Sequence, residues 1–169
     1  MPSLDNMMLR QIIMDHYENP RNRELVEDDS YKKVNMDSET CIDNIDIQAK
    51  IENGVIEDIR FDGEACAICT SSTSIMTELL IGKTIDEARV IIENYMNMIF
   101  EKDYDPEILE EAIAFKRYSN IHSGSPLMAE ISLTISSLIP LGVLKTDTSL
   151  SGIIVSSFSM SFLLFTFIN

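Results

Sequence analysis

The sequence predicts an α+β domain: a small antiparallel sheet of about three strands packed against helices. Two observations carry this. Ile45, Ile47, Ala49 and Ile51 alternate with Asp46, Gln48, Lys50 and Glu52, the period-two pattern of a half-buried strand, and Asn53-Gly54 follows as a tight hairpin turn. Beyond Gly63, the apolar residues recur at helical spacing instead, up to about Phe115.

In order along the chain, Leu4 to Tyr17 carries a helical stripe of Leu9, Ile12, Ile13, His16 and Tyr17, with Met8 beside it. His16 reads as a packed or hydrogen-bonded residue. Asn19-Pro20 ends this helix, because the residue before proline avoids helical dihedrals. Arg21 to Asp37 reads as a polar, acidic loop or irregular edge, with a short third strand over Tyr31 to Met36. The hairpin's second strand runs from Val55 to Phe61 and ends at Asp62-Gly63. A helix over Ser71 to Leu80 buries Ile75, Met76, Leu79 and Leu80, with Gly82 just past its end. Thr84 to Glu87 forms a capping box and opens a helix to about Phe100, burying Ala88, Ile91, Ile92, Tyr95, Met96 and Ile99. Asp105-Pro106 opens a last helix that buries Ile108, Leu109, Ala112, Ile113 and Phe115.

The 169 residues suffice for one domain with a real core. A net charge of −15 argues against nucleic acid and anionic membranes as electrostatic partners. The first residues, with Asp5, Arg10 and Asp15, do not read as a secretory signal. An odd count of three cysteines then fits a reducing cytoplasm, where thiols act as ligands or nucleophiles.

All three cysteines flank the hairpin or follow it: Cys41, Cys66 and Cys69. Cys41 precedes the first strand and Cys66 follows the second, so an antiparallel hairpin brings these thiols, 25 residues apart in sequence, side by side. Asp43, at i+2 on an extended segment, points to the same side as Cys41. The dipole of the helix after Cys66 favours a thiolate there. Cys66-Ala67-Ile68-Cys69 has the spacing of metal sites and redox pairs, and Cys69 stands open between an auxiliary ligand and a free cysteine.

These motifs resemble the NifU/IscU-type iron–sulfur cluster scaffold family, and most closely its SufU-like branch. Cys41-Ile42-Asp43 matches the family's Cys-Gly-Asp, and Gly63-Glu64-Ala65-Cys66 matches its second cysteine segment. Asp15 to Asn22 is similar to its opening, and Glu101 to Asp105 to the SufU-like insertion. The resemblance spans roughly Leu4 to Phe115. It implies a NifU/IscU N-terminal-like fold for residues 1–115. It also implies a role in iron–sulfur cluster assembly, with sulfur accepted from a pyridoxal-phosphate cysteine desulfurase and clusters passed to acceptor proteins. Cys41 would be the sulfur acceptor, and Cys41, Asp43 and Cys66 the ligands of a transient iron–sulfur cluster or of Zn2+. Such a chain is a non-enzymatic scaffold, or at most a zinc-dependent sulfurtransferase-type accessory protein.

The sequence departs from the family in three places. Ile42 stands where the family has glycine, and Cys69 where it has a serine-like residue. The family's third cysteine is absent; alignments put Ser123 or Leu127 there, and His122 is a candidate nitrogen ligand. This absence supports an alternative reading, an impaired or non-metal-binding interaction module with the scaffold fold.

Composition also changes near residue 116. Of the 41 charged residues, only Lys116, Arg117, Glu130, Lys145 and Asp147 lie in the last 54, which hold twelve serines. Residues 116–169 therefore read as a separate hydrophobic, serine-rich segment. Three origins stay open: a final helix over Pro126 to Leu138 with a tail, a membrane-associated stretch at residues 152–168, or an ending altered by a shifted coding frame. A cysteine-bearing, family-like ending in another frame of the gene is what the last of these requires.

Overall fold

The computed structural model describes residues 6–37, 42–118 and 137–138. Helix α1 (Asn6–Glu18) leads to a three-stranded antiparallel sheet in the order β1 (Lys32–Asp37), β2 (Asn44–Glu52), β3 (Val55–Glu64). Helices α2 (Ala67–Leu80) and α3 (Ile85–Ile99) follow, then a short α4 (Pro106–Leu109) and a 3₁₀ stretch, Glu110–Tyr118. The expected α+β class and the three strands are borne out.

The hairpin turn is made as the sequence demands. Asn53 and Gly54 take φ of 52° and 78°, the positive pair that matches the twist of the flanking strands. Near the turn the register slips between Lys50 and Ile51, so that Ile56 opposes Ile51 and Asp58 opposes Lys50. Glu57 is the extra residue of this bulge, and its insertion lets Ile56 and Ile59 both face the core. With Ile45, Ile47, Ala49 and Phe61 they form the apolar face of the sheet. Outside β3, Arg23 bridges to Phe61, and backbone bonds from Glu24 N to Phe61 O (2.9 Å) and Phe61 N to Asn22 O (3.0 Å) cover the strand's free edge. The irregular segment expected from Arg21 onward is therefore an edge cover as well as a connection.

Helix α2 lies on this core and is buried nearly all round. Besides Ile75, Met76, Leu79 and Leu80, it buries Thr70, Ser71, Ser72, Thr73, Ser74 and Thr77; only Glu78 in its second half is exposed. Hydroxyls can sit there because they bond locally. Ser71 Oγ donates to Ala67 O (2.6 Å), Thr73 Oγ1 to Cys69 O (2.8 Å) and Thr77 Oγ1 to Ser74 O (2.8 Å). Among the described residues no buried side-chain polar atom lacks a partner.

Helix α3 opens with the expected capping box, Thr84 with Glu87. It buries Tyr95, whose hydroxyl meets Ser72 Oγ at 2.8 Å and whose ring stands edge-on to Phe115 at 6.4 Å. Gly82, with φ of 81°, turns the chain back, and Gly82 N bonds to Ile56 O (2.8 Å). The turn between α2 and α3 is thereby tied to β3 beside the hairpin turn.

Several expectations are corrected. The helix expected from Ser71 begins four residues earlier, at Ala67. The single helix expected after Asp105-Pro106 is a four-residue α-helix followed by a 3₁₀ stretch. Glu110, at φ 45° and ψ −122°, breaks it, though Leu109, Ala112 and Phe115 are buried as expected. On α1, Ile13 and His16 face the core while Met8 and Tyr17 are exposed, since the helix presents only one narrow stripe to α2. On α3, Met98 rather than Met96 is fully buried.

Leu138 is buried in the same core. Among the described residues no helix is long and apolar enough to cross a membrane; residues 152–168 lie outside them.

Candidate metal centre

The centre is assembled where β2 begins and β3 ends. Asn44 pairs with Glu64 and Ile45 with Gly63, so the chain entering β2 runs beside the chain leaving β3. Gly63 makes this approach possible. Its φ is 140°, and a Cβ there would stand 2.1 Å from Asn44 O and 3.0 Å from Ile45 Cα. Asp43, just before β2, is thus pressed against Cys66, three residues beyond Gly63 and immediately ahead of α2.

Cys66 is the N-cap of α2, with extended dihedrals (φ −65°, ψ 164°), and its sulfur accepts a bond from Cys69 N at 3.4 Å. Asp43 is fully buried and completes the helix end from outside. Its Oδ1 accepts Cys66 N–H at 2.5 Å, and its Oδ2 accepts the Cys69 thiol at 3.3 Å. A buried carboxylate at a helix N-terminus meets unpaired N–H groups and a favourable dipole. Ligand atoms of Asp43, Cys66 and Cys69 all lie within 4.8 Å of one another.

The two thiols differ sharply. The Cys69 side chain and its backbone N–H, which face the Cys66 sulfur, hold the Cys66 thiol down to about 6 despite partial burial. Cys69, with no exposed surface, is pushed far up by the neighbouring Cys66 and by burial, with Asp43 adding to the effect. Its single proton stands between two acceptors, Asp43 Oδ2 and the Cys66 sulfur. One half-exposed thiolate therefore sits in front of one protonated, enclosed thiol.

Donor chemistry fits a zinc ion. Two sulfurs and a carboxylate oxygen are a zinc-type set, and ligands of a tetrahedral zinc stand about 3.3–3.8 Å apart. Asp43 Oδ2 and the Cys69 sulfur are already 3.3 Å apart, and no pair of the three ligand atoms is more than 4.8 Å apart. Of the residues expected at the site, Asp43, Cys66 and Cys69 come together. Cys41, two residues before Asp43, and His122 lie outside the described residues.

Residues 8–115 match the family model described as the NifU-like N terminal domain. The chain belongs to this family. It is 39% identical over 101 residues to the zinc-dependent sulfurtransferase SufU of Bacillus subtilis, covering 60% of this chain and 67% of that protein. It is 32% identical over 94 residues to the iron–sulfur cluster assembly scaffold protein IscU of Streptococcus pyogenes, covering 56% of this chain and 58% of that one. The crystal structure of the N-terminal part of a nitrogen-fixing NifU-like protein from Brucella abortus superposes with a TM-score of 0.67 over 76% of this chain and 90% of that chain, at 21% identity, a likeness of fold. The family match ends at residue 115, where the composition changes.

Cys69 is the residue the sequence left open. The C-x-x-C spacing was visible, but cysteine is not among the residues that mark an N-cap, so nothing announced that α2 starts at Ala67 and turns Cys69 inward. Asp43's double role, as buried anchor of Cys66 N–H and acceptor of the Cys69 thiol, had no sequence signal beyond its spacing from Cys41.

Proposed function

We propose that this chain works in iron–sulfur cluster assembly. It accepts sulfur from a cysteine desulfurase and holds a metal ion or nascent cluster before delivery to acceptor proteins. The observation that carries this reading is the convergence of Asp43, Cys66 and Cys69 at the end of the hairpin. Family membership and the relatives' names support it. Cys41 is the sulfur-accepting thiol, and Cys41, Asp43 and Cys66 are ligands. Cys69 is a further ligand, in the place of the third family cysteine that this chain lacks, at Ser123 or Leu127. The cluster is cargo. Zinc, when bound, would hold the thiols as thiolates that still exchange ligands.

The remaining steps fall to the chain's own residues. Asp43, fixed by Cys66 N–H, aims one oxygen into the site. Cys66, half-exposed at the helix N-terminus, is a thiolate near neutral pH and meets incoming sulfur or metal. Cys69 closes the site from the core side. A reducing compartment such as the cytoplasm keeps these thiols available. Residues 1–115 act as the scaffold unit in this reading, and residues 116–169 as an appended segment.

The missing third cysteine favours a second reading, an interaction module that keeps the fold without the chemistry. The two separate when the purified chain is incubated with a pyridoxal-phosphate cysteine desulfurase and cysteine. Sulfane sulfur on the chain, lost in Cys41→Ser, is the expected result. A chain that takes up no sulfur, while the desulfurase turns over, is the module.

A further inference from the structure

Scaffolding alone does not require a second, fully buried thiol behind a partly exposed one, yet Cys69 stands in that place behind Cys66, its sulfur against Asp43 Oδ2. Of these two thiols, Cys66 is the one that sulfur arriving from solvent reaches. Among the described residues, Cys69 is the one other cysteine, and its sulfur lies within 4.8 Å of the Cys66 sulfur. The pair spans three residues across the first turn of α2, with Cys66 extended at the N-cap. Residues so spaced have Cβ atoms about 5–6 Å apart, a small closure from disulfide geometry.

We propose that Cys66 and Cys69 form a dithiol pair that reduces sulfane sulfur bound at the metal-free site and releases it as sulfide. At this step Cys66 carries the sulfane sulfur as a persulfide, whether it came through the acceptor thiol Cys41 or directly from a small-molecule persulfide. The Cys69 sulfur attacks the Cys66 Sγ; an Sγ–Sγ bond forms, and the bond from Cys66 Sγ to the outer sulfur breaks, its electron pair leaving on that sulfur. Two cysteine sulfurs are oxidised to a disulfide while the sulfane sulfur is reduced to hydrosulfide. The Cys69 proton, hydrogen-bonded to Asp43 Oδ2 beforehand, ends on the departing sulfide. A small-molecule dithiol then reduces the disulfide and resets the pair. Sulfide is the oxidation level of sulfur in a cluster, so the pair would supply the two electrons that persulfide lacks.

The inference rests on the sulfur-receiving reading, and one experiment separates the two. The full-length chain is chelated, reduced, desalted without oxygen and given one equivalent of a small-molecule persulfide. Sulfide is measured, and the tryptic peptide 61–83, which holds both thiols, is weighed. The wild-type chain is expected to release sulfide, its peptide losing the mass of two hydrogens. Cys69→Ser is expected to keep the mass of one extra sulfur on Cys66 and to release sulfide roughly tenfold more slowly or less. Wild-type peptide that keeps its extra sulfur without forming the disulfide overturns the inference and leaves sulfur acceptance standing. Equal sulfide release from Cys69→Ser overturns it as well. A chain that takes sulfur on none of its three thiols overturns both. The wild-type arm decides without any variant, so a folding defect in Cys69→Ser does not blunt the test.

Discussion

The Cys69 sulfur lies 3.3 Å from Asp43 Oδ2, across 26 residues of sequence. Neither residue is close to the other along the chain, and neither is exposed to solvent. What joins them is the hairpin, which returns to its starting point at Gly63, and the helix that begins just beyond it. The contact is a product of register, and its consequences can be tested by disturbing register, charge or ligand set separately.

Register is most easily disturbed at Gly63. A methyl group there would collide with the backbone of Asn44 and Ile45 at a φ that side chains rarely adopt. Gly63→Ala is expected to cost about 2–3 kcal/mol in urea unfolding. It should also weaken metal binding, since Asp43 and Cys66 sit at the two ends being forced apart. A variant with wild-type stability and metal content would show that the strands part there without consequence.

Charge at the site is read through Cys66. Its folded value, about 6, lies below the ordinary thiol value of 9.0. The thiolate is therefore the major form at pH 7 and is lost as pH falls through about 6. Alkylation of the metal-free chain by iodoacetamide should report this as a rate at Cys66 that rises with a midpoint near pH 6, roughly three- to sixfold faster at pH 7 than an ordinary thiol, the larger thiolate fraction being partly offset by lower nucleophilicity. Cys69 should stay unmodified while the chain is folded. A midpoint near 9 at Cys66 would contradict the assigned environment.

His16 tests the opposite side of α2. It is buried, with Nδ1 2.8 Å from Ser74 Oγ and Nε2 3.2 Å from Glu111 Oε2. His16→Ala removes those bonds and leaves a cavity, at a cost of about 2–3 kcal/mol. Glu111→Ala, at a largely exposed partner, should cost less than about 1 kcal/mol. Neither should alter metal content. Loss of metal in either variant, with the fold intact, would make His16 part of the centre rather than its support.

The sheet was legible because period-two alternation and Asn53-Gly54 are local signals, each fixed by backbone sterics at its own residues. Asp43 and Cys66 were legible as a site because the hairpin topology follows from the turn. The bulge at Glu57 was not, since an extra residue leaves no mark in the alternation until the partner strand is known. The early start of α2 was hidden by its polar run, Thr70 to Ser74. Those hydroxyls are buried through bonds to their own helix, a compensation that hydropathy does not show. The break at Glu110 was hidden because its flanking apolar residues keep helical spacing across it.

The central claim is that Asp43, Cys66 and Cys69 hold a metal although the family's third cysteine is missing. Its most direct test is the zinc and iron content of the full-length chain, purified beside Cys66→Ser and Cys69→Ser, with circular dichroism on each. About one zinc per wild-type chain, or a cluster, is predicted. Its loss is predicted in both variants at unchanged secondary structure. A Cys69→Ser chain that keeps the full wild-type metal content would remove Cys69 from the centre, and a wild-type chain that binds neither metal would contradict the account.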